Sequence, residues 1–238
     1  QECVDNEVRA IELASAQENA VRVSCWWTAI GFLHLGDLEA GRPHALFLGD
    51  LTEKRNTPRL YASNALTPIT ALSCLEGDWH AGREYSNRGL ELSPLNPMLL
   101  LPRVLLEYET EDFAQGEVYL ERLLEAMRRA EFFASARTAM ALAAIARITG
   151  VPNRLEIAET AAQSLLLEQS VTPLVAMWAK AGLALLAVQT GDQAAAAEHY
   201  SYLLGQQSTM ASTVISADRL LGLLSQTMGD LDQATEHF

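Results

Sequence analysis

The chain of 238 residues is predicted to be all-α, a solenoid of about six antiparallel helix pairs. Three observations predict this. A short mark recurs as Gly36-Asp37, Gly77-Asp78, Glu111-Asp112, Gly150-Val151, Gly191-Asp192 and Gly229-Asp230, at successive spacings of 41, 34, 39, 41 and 38 residues. A period of that size is the signature of stacked supersecondary units. The words around the marks also align. Gly191 to Tyr200 lies over Gly229 to Phe238, sharing Gly, Asp, Ala, Glu, His and a final aromatic, and Gly36 to Arg42 lies over Gly77 to Arg83. Leu66 to Asp78 lies over Leu100 to Asp112 with Pro68 and Pro102 matched. Finally, each mark follows an apolar helical stretch and precedes an amphipathic one.

In chain order, residues 1–18 read as the second helix of a preceding unit, with Val4, Val8 and Ile11 on one face. The pairs that follow are 19–35 with 38–50, 58–76 with 79–92, 97–110 with 112–130, 132–149 with 153–168, 173–190 with 192–205, and 210–228 with 230–238. The second helix of the third pair shows its face most plainly, in Phe113, Gly116, Leu120, Leu123 and Met127 at helical spacing. The stretch before Gly191 is apolar nearly all round, as a helix packed on both sides must be. At each turn the glycine takes the left-handed conformation that ends one helix, and the Asp caps the next through its carboxylate. The whole of 1–238 forms one solenoid, and both ends are expected to fall inside repeats of a longer protein, because a terminal helix without a further unit leaves its apolar face uncovered.

Composition limits the partners. Apolar residues make up 49% and charged residues 20%, the balance of a folded domain. A net charge of -13 with Lys54 and Lys180 as the sole lysines opposes direct contact with nucleic acid, which needs a basic stripe. The most apolar segment, Leu174 to Gln189, is interrupted by Lys180 and reads as a packed repeat helix, not a membrane span. The first residues lack the basic start and apolar core of a signal peptide. Cys3, Cys25 and Cys74 form no close pair, as in a reducing, cytoplasmic setting.

Candidate chemistry is sparse. His199 and His237 each follow a Glu, but they occupy one position of successive repeats, so the repeat itself explains them. His34, His44 and His80 fall near turns and lack the i, i+4 partner of a helical zinc site. Glu121, Arg122, Glu125, Arg128 and Arg129 make a solvated charged face. No phosphate loop, nucleophile elbow or Cys/His constellation is present. The expectation is a protein that is not an enzyme, with no cofactor, no metal and no membrane partner.

The repeat wording resembles the tetratricopeptide repeat. Leu221, Gly222, Gly229, Ala234 and Phe238 fit its signature positions in the last unit, and Leu183, Ala184, Gly191, Ala196 and Tyr200 fit them in the one before. Pro94 supplies the closing proline of the unit around Gly77. The resemblance implies a right-handed superhelix whose first helices line a concave face. Counting back from each mark, it places Trp26, Asn64, Thr67, Met98, Tyr108, Arg137, Met140, Arg147, Trp178, Arg219 and Gln226 on that face. Arginines and aromatics are the residue types that carry binding energy at interfaces. The lysines of the family's carboxylate clamp are absent. Leu66 to Arg88, Leu100 to Arg128 and Ala181 to Phe238 also look like the helical region of large bacterial signalling regulators. In these proteins a LuxR-type DNA-binding domain or a nucleotide cyclase is joined to an AAA-type ATPase.

This reading implies a protein-interaction or effector-sensing scaffold that takes a peptide, protein or small ligand in its groove. A structural or homo-oligomerisation module with no small ligand is the alternative. Sensing requires that Arg137, Arg147 and Trp178 converge on one groove, whereas assembly requires an exposed apolar patch elsewhere.

Overall fold

The computed structural model describes residues 4–6, 8–9, 18–51, 58–212 and 215–238. Among them the chain is all-α apart from one short hairpin. The helices are α1 (Glu18–His34), α2 (Leu38–Leu51), α3 (Arg59–Ala65), α4 (Thr67–Leu75), α5 (Trp79–Leu92), α6 (Pro97–Glu109), α7 (Phe113–Arg128), α8 (Phe132–Thr149), α9 (Leu155–Leu166), α10 (Pro173–Thr190), α11 (Gln193–Leu203), α12 (Ala217–Met228) and α13 (Leu231–His237). The hairpin pairs β1 (Met210–Ser212) with β2 (Ile215–Ser216).

The recurring mark builds the same turn each time. Gly36, Gly77, Gly150, Gly191 and Gly229 have φ between +66° and +86°, a region open to glycine because it has no Cβ. At the third mark Glu111 takes the position with φ +60°. The backbone N–H of the next Asp reaches back to close the helix behind it: Asp37 to Phe32, Asp78 to Ser73, Asp112 to Glu107, Asp192 to Ala187 and Asp230 to Ser225. The carboxylate of the same Asp then accepts from the first turn of the helix ahead, at Ala40, Ala81, Gln115, Ala195 and Gln233. One residue thus ends one helix and starts another. The mark at Gly150 lacks the Asp, and α9 begins from Arg154, which has φ +63° and no side-chain cap.

The helices stack in two rows. The first helices, α1, α4, α6, α8, α10 and α12, contact one another in sequence; α2, α5, α7, α9 and α11 each lie against their own first helix and the next one. Contact is closest between α8 and α10, where a Cβ built on Gly182 would sit 3.1 Å from the Met140 backbone nitrogen. Both helices are long and apolar enough to cross a membrane, but as inner members of the stack they bury 61% and 50% of those residues. Two apolar clusters fill the interior, one from Cys25 to Leu72 and one from Leu90 to Leu224, and Trp26 packs against both.

Two of the expected boundaries are corrected. The helix expected over 58–76 breaks at Leu66, and Pro68, which has no N–H to donate, falls in the first turn of the new helix, α4. Pro102, its aligned partner, lies inside α6, which continues to Glu109. The helix expected from 210 begins at Ala217. Met210–Ser212 pairs with Ile215–Ser216, where the β-branched Ile215 favours extended backbone, and Ser216 caps α12 by accepting from the Arg219 N–H. Of the helix expected over 1–18, residues 4–6 and 8–9 are helical, and Val4 is buried against Gly31 of α1. The rest of that stretch up to residue 17 lies outside the described residues.

The row of first helices curls until α1 meets α10 and β1, the strand that precedes α12. His34, the last residue of α1, has its Nδ1 3.0 Å from the carbonyl oxygen of Met210 in β1, and its ring stacks at 6.2 Å on Trp178 of α10.

Candidate functional site

One face of α8 organises the site. Phe133, Arg137, Met140, Ala144, Arg147 and Ile148 follow each other at helical spacing and pass through three environments.

At the Phe133 end lies a cleft of about 850 Å³ whose lining includes Trp26, Trp27, Leu60, Asn64 and Met98. Trp26 donates from Nε1 to the Asn64 carbonyl at 3.0 Å and meets the Trp27 ring edge-on at 4.7 Å. Asn96 caps α6 through its Oδ1, and its Nδ2 donates to Ser63 Oγ and Asn64 Oδ1. The amide side chains at the floor of this cleft are therefore already engaged with each other.

At the Arg147 end lies a cleft of about 400 Å³. Its walls are mainly apolar, including Met140, Ala144, Leu185 and Leu223, with Glu109, Arg147 and Arg219 among them. It adjoins a second space of about 590 Å³ that shares Arg147 and Arg219 and reaches Gln226 and Phe238. Partial burial and the neighbouring charge of Arg219 hold the Arg147 guanidinium below its ordinary pKa. Neither arginine forms an ion pair among the described residues. Two guanidinium groups on apolar walls form a place for an anionic group carried on an apolar body.

Between the two clefts the face is covered. Arg137 is 1% exposed and Trp178 is not exposed at all, with the guanidinium carbon 4.3 Å from the ring centroid. Phe133 adds a tilted contact to the same ring at 5.9 Å. Burial lowers the pKa of His34; its Nδ1 donates to the Met210 carbonyl, and its Nε2 is buried without a partner.

Trp26, Asn64 and Met98 thus meet in the first cleft, and Met140, Arg147 and Arg219 meet in the second, with Gln226 beside it. Arg137 and Trp178 lie buried between the clefts instead of lining an open groove: the curl brings His34 onto Trp178 and β1 against its helix, and Arg137 stacks on the same ring. Tyr108 stands apart. Its ring packs on Gly116 of α7, its hydroxyl donates to Glu117 at 2.5 Å, and burial together with that carboxylate raises its pKa. Thr67 is buried in the first turn of α4. His34 and Phe133 were not legible as site residues. His34 meets Trp178 only through a contact spanning 144 positions, and Phe133 precedes the counted window by one turn.

Other candidates resolve into packing. Glu107, 1% exposed, accepts from Arg83 at 2.7 Å and Arg103 at 2.5 Å. Burial acts to raise its pKa, but the hydrogen bonds from the two arginines prevail and hold it below the ordinary value. Cys74, beside this network, is pushed up to about 12 by burial. His199 is buried, and His237 Nε2 lies 2.9 Å from the Tyr200 hydroxyl. Glu125 pairs with Arg128 and Arg129 on an exposed face.

No protein-family model matches the chain, and no curated protein matches it.

Proposed function

We propose that the chain is a ligand-binding scaffold, a right-handed tetratricopeptide-like solenoid segment of a larger cytoplasmic bacterial regulator, in which binding within the curl is the signal. The observation that carries this reading is the pairing of Arg147 with Arg219 on one apolar-walled cleft. Two adjacent guanidinium groups, ion-paired neither with Glu109 of the same cleft nor with Asp218 of the adjoining space, repel each other, and an anion between them relieves that repulsion. The ligand class is a peptide or small effector carrying a carboxylate or phosphate on an apolar body. Its binding shifts the population of solenoid curvatures offered to neighbouring domains.

A thermal-shift screen against acidic peptides and small carboxylates and phosphates tests the reading. A ligand that raises Tm in the wild type and not in the Arg147→Ala, Arg219→Ala double variant supports it, provided the double variant keeps its helical circular dichroism. Shifts that are equal in both proteins for every ligand, or no shift with any ligand, reject it.

Assembly is the second reading, favoured by Trp27, Leu60 and Tyr61, which are 40%, 57% and 62% exposed near the first cleft. Mass that grows with concentration and falls on Leu60→Asp would favour it.

A further inference from the structure

The two buried stacked arginines of this fold are treated in opposite ways. Arg103 and Arg137 each lie 4.3 Å from the centroid of an aromatic ring, Tyr119 and Trp178 respectively, and each is almost fully buried. Arg103 is surrounded by acceptors: its Nε donates to Glu107 at 2.5 Å, and its Nη1 donates to Ser86 Oγ at 2.9 Å and Asn87 Oδ1 at 2.6 Å. That is how a structural guanidinium is buried. Arg137 has the aromatic partner and none of the acceptors, since its Nε and Nη1 are buried without a hydrogen-bond partner. A cation–π contact contributes about 0.5–2 kcal/mol, whereas burying an ion costs several kcal/mol. The ring therefore offsets only part of the cost, and no acidic side chain supplies the rest.

The surroundings of Arg137 share the deficit. Trp178 Nε1 and His34 Nε2 are also buried and unpartnered. Three side chains from α1, α8 and α10 thus bring unmet hydrogen-bonding groups to one place. An oxyanion meets the two unpartnered donors, accepting from Arg137 and from the indole N–H, and its charge favours proton uptake by His34, whose Nε2, a lone-pair acceptor in the neutral ring, then donates to it.

Access comes from the cover. Arg137 lies one turn of α8 from Phe133, in the first cleft, and one turn from Met140, in the second. Against the helix of Trp178 lie the His34 to Met210 hydrogen bond and the paired strands β1 and β2, three residues on two. A two-stranded ribbon of that length has little stability of its own, and opening it joins the two clefts over Arg137.

We infer that Arg137, Trp178 and His34 form an enclosed oxyanion site, distinct from the Arg147 and Arg219 cleft, which a carboxylate or phosphate group occupies when the His34–Met210 bridge opens.

The test uses inorganic phosphate and succinate as probes, each against chloride at equal ionic strength, with calorimetric titration of the wild type, Arg137→Met and the Arg147→Ala, Arg219→Ala double variant. The expected result is saturable binding that weakens at least tenfold in Arg137→Met and stays within threefold of wild type in the double variant. Binding of phosphate alone identifies a tetrahedral ligand group, and binding of succinate alone a planar one. Loss in the double variant but not in Arg137→Met overturns the inference while leaving the groove reading intact, and binding of neither probe overturns it outright. Should Arg137→Met fail to fold, the wild-type protein answers by NMR. A slowly exchanging arginine Nε–H, assigned through Arg137→Lys, moves with added probe if the inference holds and stays fixed if it does not.

Discussion

Gly182 of α10 faces the backbone of α8 so closely that a Cβ on it would lie 3.1 Å from Met140 N and 3.2 Å from Ala139 C. Backbone cannot yield as a side-chain tip does, so Gly182→Ala must spread the two central first helices. Overpacking of this kind costs about 1–3 kcal/mol. Urea unfolding should show that loss in Gly182→Ala. An unchanged midpoint would mean that the helices separate without cost.

Glu107 joins α5 to α6 through Arg83 and Arg103, and it is buried. Removing one member of a buried ionic group leaves the others uncompensated, a loss of about 3–5 kcal/mol. Glu107→Ala should therefore unfold at much lower denaturant than Arg128→Ala, whose exposed pair with Glu125 contributes little. The Glu107 carboxyl lies below its ordinary pKa of 4.5 in the fold. Its stabilisation is complete above that value and is lost as pH falls through the folded one.

The turn mark was legible in the sequence because capping is local: an Asp three residues before a backbone N–H needs nothing from elsewhere. The order of the helices was legible for the same reason. The pairing of β1 with β2 was hidden by the period, which promised a helix where Met210–Ser212 and Ile215–Ser216 are extended. The bridge from His34 to Met210 could not be read at all, since no local pattern records how far a row of helices curls. That curl decides why Arg137 and Trp178 are buried while Arg147 and Arg219 are open.

Glu111 holds φ +60° where four of the other five marks that share its turn carry glycine followed by Asp. The left-handed region costs a residue with a Cβ about 1–2 kcal/mol, part of which returns as the greater chain entropy of unfolded glycine. Glu111→Gly should stabilise the protein by about 1 kcal/mol, and Gly191→Ala should destabilise it. Thermal unfolding of the two variants measures both signs, and a lower Tm for Glu111→Gly would refute the strain.

His34 is held below its ordinary pKa of 6.5 by burial, and the positive charge of Arg137 acts in the same direction. The unfolded chain then binds more protons than the folded one between the folded pKa and 6.5. His34 stabilisation is complete above pH 6.5 and is lost as pH falls through that window. His34→Asn, which keeps a donor toward Met210 but does not titrate, should show a shallower fall in unfolding free energy from pH 7 to pH 5. His44 and His199, lowered by burial, supply the slope that remains. Superimposable profiles for the two proteins would remove His34 as a titrating contact.

A stack in which each unit touches only its neighbours can fray from either end without the middle sensing it. The hydrogen bond between His34 and Met210 ties positions 176 residues apart, so the described stack is not strictly linear. The bond joins the first described helix pair to the strand before the last pair, so fraying of the first pair breaks a contact beside the last one as well.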